Sequence, residues 1–284
     1  MSDGTALTLL YDGTFEGLMT AVFEAYTRRP MPASIAEEAG YQALFGERAF
    51  YIAADMAKAD RVTVGIRRSM GWEAYEKIWL AFLSEQPDRG RWIYDYIRLG
   101  FEQGRRIASL LTDDRVRIID KWSHLVSLES SRLIQFVRFS RREGGLFYSR
   151  IQPAYDVTAL LMPHFAERFN IQPFVIHDLN RGLFGVYDRQ DWRIVRADSV
   201  TLPPMTADER ECRRLWKTFF DAVAIRERAN PRCQRHFMPK KYWKEITEMR
   251  MDILDEGAVP PAPSLAGERD SLLASSPRLP ETGL

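Results

Sequence analysis

The sequence predicts an α+β fold: a helix-rich N-terminal half, a small antiparallel sheet over about residues 136–197 flanked by helices, and a disordered C-terminal tail. Three observations carry this expectation. Apolar residues recur at helical spacing through most of the first 135 residues. At about residue 136 the period shortens, and short strand-like runs alternate with turn residues. From Asp255 onward Pro, Ser, Gly and Glu replace apolar periodicity. Helices first, then neighbouring strands, then helices again is the order of a segregated α+β chain. We expect one domain over 1–254, with helix-rich 1–135 and sheet-containing 136–254 parts, and a tail at 255–284.

Taken in order, LTLLYDG (7–13) reads as a short apolar strand ending in a turn. Thr14 can cap the next helix, where Phe15, Leu18, Met19, Val22, Phe23 and Tyr26 form one stripe over 15–28. Residues 49–53 and 62–66 read as short strands or loop edges, with 53–60 open to either state. Trp72, Tyr75, Ile78, Trp79 and Phe82 mark a helix over 72–83, and 90–111 and 115–139 read as two more. QFVRFSRREGGLFYSRIQP (135–153) suggests two strands around a turn at Glu143-Gly144-Gly145. Residues 156–169 are helical, with Pro163 an irregularity. Three strands follow at 174–179, 183–188 and 192–197; their connections are too short for parallel crossovers, so they pair antiparallel. Residues 206–228 and 239–250 read as closing helices.

Composition narrows the function classes. A hydrophobic share of 45% with 12% aromatics is enough for a real core. No apolar run is long enough to span a bilayer, and the N-terminus lacks a basic region followed by an apolar one. We therefore expect a cytoplasmic protein without membrane partners. Cys212 and Cys233 are too few for a disulfide framework or a cysteine-ligated cluster. The string LPETG at Leu279–Gly283 lacks a following apolar span and basic tail, so it reads as coincidence or an added tag.

Taken at face value, the net charge of +1 argues against a nucleic-acid partner. By segment it is −5 over 1–88, +6 over 89–150, −1 over 151–204, +5 over 205–250 and −4 over 251–284. Two basic blocks are thus masked by an acidic entry region and an acidic tail.

Several residues could carry chemistry. Asp12, Thr14 and Glu16 flank a strand-to-helix turn, where an anion could bind; the two carboxylates oppose that, and a capped tight turn is the alternative. Glu129, Arg132 and Gln135 share one side of a helix, with Arg138 following. They read either as an Arg–Glu pair ordering the helix–sheet junction or as a phosphate grip. His164 and Arg168 are one turn apart, and Asp178 and Arg181 close the next strand, so His164 with Asp178 could form a general-base pair or be structural. Glu129, His164 and Asp178 are the acid–base candidates. Arg132, Arg138, Arg168, Arg181, Lys240 and Lys241 are the nucleic-acid candidates. Across Asn230–Lys244 cations alternate with aromatics, which suits phosphates and unpaired bases; the alternative is a solvated basic helix face with Tyr242 and Trp243 in the core. His124, His177 and His236 form no metal-ligand spacing, and there is no P-loop, GxGxxG, GxSxG or CxxxCxxC string, so no cofactor is expected in this chain.

Five ordered strings then point to a family: YDGTFEGLMTAVFEAY (11–26), LESSRLIQFVRF (128–139), GGLFYSRIQPAYDVTALLMPHFAERF (144–169), PFVIHDLNRGLFGVYD (173–188) and RHFMPKKYWKEITE (235–248). They resemble a bacterial family of DNA metabolism and DNA repair proteins that contains a domain of unknown function. The resemblance implies a companion, a radical-SAM DNA modification or repair protein, which would carry S-adenosylmethionine and an iron–sulfur cluster. It marks Asp12, Thr14, Glu16, Tyr242 and Trp243 as motif positions beside the candidates above. Longer relatives carry a uracil-DNA-glycosylase-like extension, for which this chain has no room after about 255, so glycosylase activity is not implied. Three functions follow as expectations: a DNA-associated accessory protein for the radical-SAM partner, an enzyme acting on a nucleobase or DNA-derived substrate, or a scaffold without DNA contact.

Overall fold

A computed structural model describes residues 7–43, 45–197 and 200–249; the tail predicted at 255–284 lies outside the described residues. The chain is α+β and divides into two compact units, residues 1–128 and residues from 129 onward.

The first unit is built on a three-stranded parallel sheet. Strand β1 (Leu7–Tyr11) lies between β2 (Ser34–Glu37) and β3 (Arg48–Tyr51). Leu9 faces Ile35 on one side and Phe50 on the other. Leu9 and Tyr11 are wholly buried, as befits a central strand. Helix α1 (Phe15–Thr27) returns the chain from β1 to β2, and the Thr14 hydroxyl caps it by accepting the Gly17 N–H at 2.9 Å. Helices α2 (Met56–Met70), α3 (Trp72–Leu83) and α4 (Arg89–Gln103) follow, and α5 (Asp114–Phe136) carries the chain onward.

The expectation of a strand at 62–66 is corrected: these residues lie inside α2. Asp55 starts the helix by accepting the Lys58 N–H, and Ala59, Val62, Thr63, Ile66 and Met70 bury one face. That burial outweighs the β-propensity of the Val-Thr-Val run, and Val64 is left exposed. Helix α4 approaches β2 at Gly90, where a Cβ would sit 2.7 Å from the Ile35 carbonyl oxygen.

The second unit holds a five-stranded sheet ordered β4 (Ser140–Arg141), β5 (Phe147–Ile151), β6 (Phe174–Asp178), β7 (Leu183–Tyr187) and β8 (Trp192–Arg196). β6, β7 and β8 pair antiparallel, as their short connections require. β5 and β6 instead pair parallel, with Phe147 opposite Phe174. Helix α6 (Thr158–Arg168) is the crossover that makes this possible. The strand expected to begin near 136 shrinks to Ser140–Arg141, because Phe136 still belongs to α5. The Phe139 ring packs among Phe165, Phe169 and Phe174 rather than along a strand partner.

Beyond the sheet, α7 (Ala207–Val223) ends before the expected 228, and α8 (Pro231–Phe237) follows, begun by an Asn230 cap and Pro231 in the first turn. The helix expected at 239–250 is instead two 3₁₀ turns, Lys240–Glu245 and Thr247–Met249. Tyr242, Ile246 and Met249 each donate their N–H three residues back, the spacing of that tighter helix.

Candidate functional site

Glu129 lies near the end of α5 and is 2% exposed. Its Oε2 accepts the backbone N–H groups of Ala154 and Tyr155 at 3.0 and 3.1 Å. Its Oε1 accepts the Tyr242 hydroxyl at 3.2 Å and the Lys241 ammonium. An ionised carboxylate offers about four acceptor positions, so this one is filled. The loop it holds, Pro153–Tyr155, is gripped a second time by the turn after β6. Arg181 donates to the carbonyls of Pro153 and Ala154, and Asn180 Nδ2 donates to Pro153 at 2.8 Å. Asp178 anchors that turn, accepting Arg181 Nη1 and the Asn180 N–H, both at 2.9 Å. Glu245 closes the third side through Arg150 Nε at 3.1 Å and Gln152 Nε2 at 3.0 Å.

Five sequence candidates therefore meet on one loop: Glu129, Asp178, Arg181, Lys241 and Tyr242. The electrostatics fit a clamp. Burial pushes the Asp178 carboxyl up, against the pull of Arg181. Burial also raises the Tyr242 phenol. For Lys241 burial pushes downward, but the hydrogen bond and charge of Glu129 outweigh it and hold the ammonium above its ordinary value. A general base needs an oxygen open to the proton it removes. All four positions of Glu129 are already filled, and Asp178 is wholly buried against its own turn.

The other candidates stand apart from this clamp. Among the described residues His164 has no hydrogen bond or ion pair; it is half-buried on α6 with its ring edge-on to Phe165. The partner of Asp178 is Arg181, and the partner of Glu129 is Lys241 rather than Arg132. Arg132 is half-buried and Arg168 exposed, each without an ion pair among the described residues. Arg138 caps the end of α5 through the carbonyls of Gln135 and Val137 and pairs with Glu248 at 2.9 Å. Burial raises the Glu248 carboxyl, but the Arg138 hydrogen bond prevails and leaves it below its ordinary value. Glu248 also accepts Trp216 Nε1 at 3.2 Å. Lys240 is exposed and lies 5.8 Å from the Trp243 ring centre, and Trp243 Nε1 donates to Met238 O.

In the first unit the motif at 12–16 is a capped turn. Asp12 Oδ1 accepts the N–H and hydroxyl of Thr14 at 3.0 and 2.6 Å. Gly13 has φ +82°, and a Cβ there would meet Glu37 Oε1 at 2.6 Å. Glu16 is half-buried in the first turn of α1.

Sequence reasoning passed over several residues that matter. His177 is 3% exposed, lies 2.8 Å through Nδ1 from the Tyr148 hydroxyl, and stacks on Phe184 at 3.9 Å. Burial, helped by the Arg150 charge, pushes its pKa down to about 4. Nothing but its place beside Asp178 in a buried strand could have singled it out. Trp216, Phe219 and Phe237 are exposed although apolar spacing would put such residues in a core.

Among the described residues no helix is long and apolar enough to cross a membrane. No curated protein matches the sequence. Residues 87–248 match a domain of unknown function, DUF4130. The matched stretch contains the whole Glu129–Asp178–Lys241 clamp and excludes the turn at Asp12–Glu16. It covers more than half of the sequence, and the chain belongs to the DUF4130 family.

Proposed function

We propose that this chain is a DNA-associated accessory protein that works with a radical-SAM partner in base modification or repair. The observation that supports DNA contact most is a run of exposed, uncompensated cations in the second basic block. Arg232, Arg235, Lys240 and Lys244 are exposed and make no ion pair among the described residues. In the first block Arg98, Arg115, Arg117, Arg138 and Arg150 each face a carboxylate, while Arg105, Arg106, Lys121 and Arg141 are exposed without an ion pair among the described residues. An exposed cation without a carboxylate partner can release a DNA counterion when it meets phosphate.

Within this reading the clamp has a positioning role. Lys241 and Tyr242 are tied to Glu129, which fixes the segment on which Lys240 and Lys244 are displayed. Lys241 and Arg181 then serve as anchors rather than phosphate contacts. The filled carboxylates of Glu129 and Asp178 favour an accessory part over acid–base catalysis by this chain. The radical-SAM partner rests on the family resemblance of the motifs, and would supply S-adenosylmethionine and an iron–sulfur cluster.

Fluorescence anisotropy with labelled DNA tests the reading. The variant Arg232→Ser/Arg235→Ser/Lys240→Ser should bind more weakly and lower the log–log salt slope by about 2–3. Co-expression with the radical-SAM companion, followed by nucleoside profiling of digested DNA, should show a modified base that is lost without this chain. Wild-type protein with no salt-sensitive DNA binding, alone or with the partner, would overturn the proposal.

A further inference from the structure

We infer that the α7–α8 surface takes single-stranded or locally unstacked nucleic acid in preference to intact duplex. The inference rests on the DNA-association reading above and deepens it. Three large rings stand out from this surface: Phe237 is 71% exposed, Phe219 55% and Trp216 46%. They come in pairs. Trp216 and Phe219 lie 5.9 Å apart on α7, tilted by 30°, and His236 and Phe237 lie 5.1 Å apart at the end of α8. The helices that carry them reach adjacent residues: Trp216 on α7 donates to Glu248, while Gln234 on α8 contacts the Met249 sulfur at 4.0 Å.

Cations sit beside the rings of α8. Arg232, Arg235, His236 and Phe237 line one open concavity on α8, and Lys240 follows three residues later. Rings and unpaired guanidinium groups together match the two chemical faces of a single strand, its bases and its phosphates. In a duplex the base faces are stacked on one another and cannot meet a side-chain ring. Duplex contact would use the cations and leave the rings in water. A protein partner could also cover exposed rings, but the α8 side offers it only positive charge without a carboxylate counterpart among the described residues.

The test uses the full chain and two fluorescein-labelled probes of one mixed sequence, a 20-nucleotide single strand and its duplex, at the same salt. The single strand should bind at least about fivefold more tightly, the gain expected from one stacked base. Phe219→Ala/Phe237→Ala should cut single-strand affinity by at least about fivefold and leave duplex affinity within about twofold, while Phe237→Tyr should retain most of the binding. Circular dichroism of each variant checks folding, which these exposed positions should not disturb. Equal affinity for both probes, or single-strand binding untouched by ring removal, overturns this inference and leaves DNA association standing. Salt-sensitive binding to neither probe overturns both. Ring removal that abolishes co-purification with the radical-SAM protein but spares single-strand affinity identifies a protein interface and also overturns the inference.

Discussion

Glu129 ties two separate segments of the second unit to α5, because four donors converge on it. Glu129→Ala would leave two part-buried N–H groups, a buried phenol and a half-exposed ammonium without their acceptor. A buried unsatisfied donor costs about 1–3 kcal/mol and part-exposed ones less, so a loss of about 2–3 kcal/mol in urea denaturation is expected. A variant that keeps its stability but loses activity would instead point to catalysis by Glu129. His177 makes a different prediction. The folded protein keeps it neutral down to about pH 4, whereas the unfolded chain protonates it near 6.5. Between those values the unfolded state binds the extra proton, so stability falls as pH drops from about 6.5 toward 4. His177→Phe should flatten that part of the stability–pH curve by roughly 1–3 kcal/mol relative to wild type. At this scale the sequence revealed which residues matter better than what they do. Glu129, Asp178, Arg181, Lys241 and Tyr242 were all identifiable, but one chain cannot show that Lys241, 112 positions away, displaces Arg132 as the partner of Glu129.

At the scale of elements, close approaches set the tolerance to substitution. Helix α6 rests on β7 at Gly185, where a Cβ would lie 2.3 Å from Met162 Sδ. Gly185→Ala should cost about 1–3 kcal/mol, and adding Met162→Ala should change that penalty by more than additivity allows. Gly90→Ala should cost more, because its obstacle is the Ile35 backbone carbonyl rather than a flexible thioether. Thermal denaturation of these variants and of Met162→Ala alone checks the order and the coupling. Amphipathic helices such as α1 and α3 were readable within a residue of their ends, because one buried face repeats in the sequence. The strand pairing of β5 with β6 was not, since its direction depends on where α6 returns the chain. Helix α8 had a readable start in Asn230-Pro231 that the basic character of the segment obscured.

Over the whole molecule, charge is arranged by segment rather than by sum. The block at 205–250 carries +5, and the five acidic residues of 255–284 offset the cations elsewhere. Deleting 255–284 raises the net charge from +1 to +4. At low salt that deletion should tighten DNA binding by about twofold or more, and the difference should vanish at high salt as screening shortens the range of the field. The sequence located this basic block but could not tell paired from unpaired cations, and that difference separates Arg138 from Arg232. Central to the account is that the unpaired cations around α8 bind DNA phosphate. The most direct measurement is the affinity of the full chain for DNA across a salt series, for wild type and for Arg232→Ser/Arg235→Ser/Lys240→Ser. We predict a steep wild-type salt dependence and a slope lower by about 2–3 in the variant. Identical slopes in the two proteins would contradict the account.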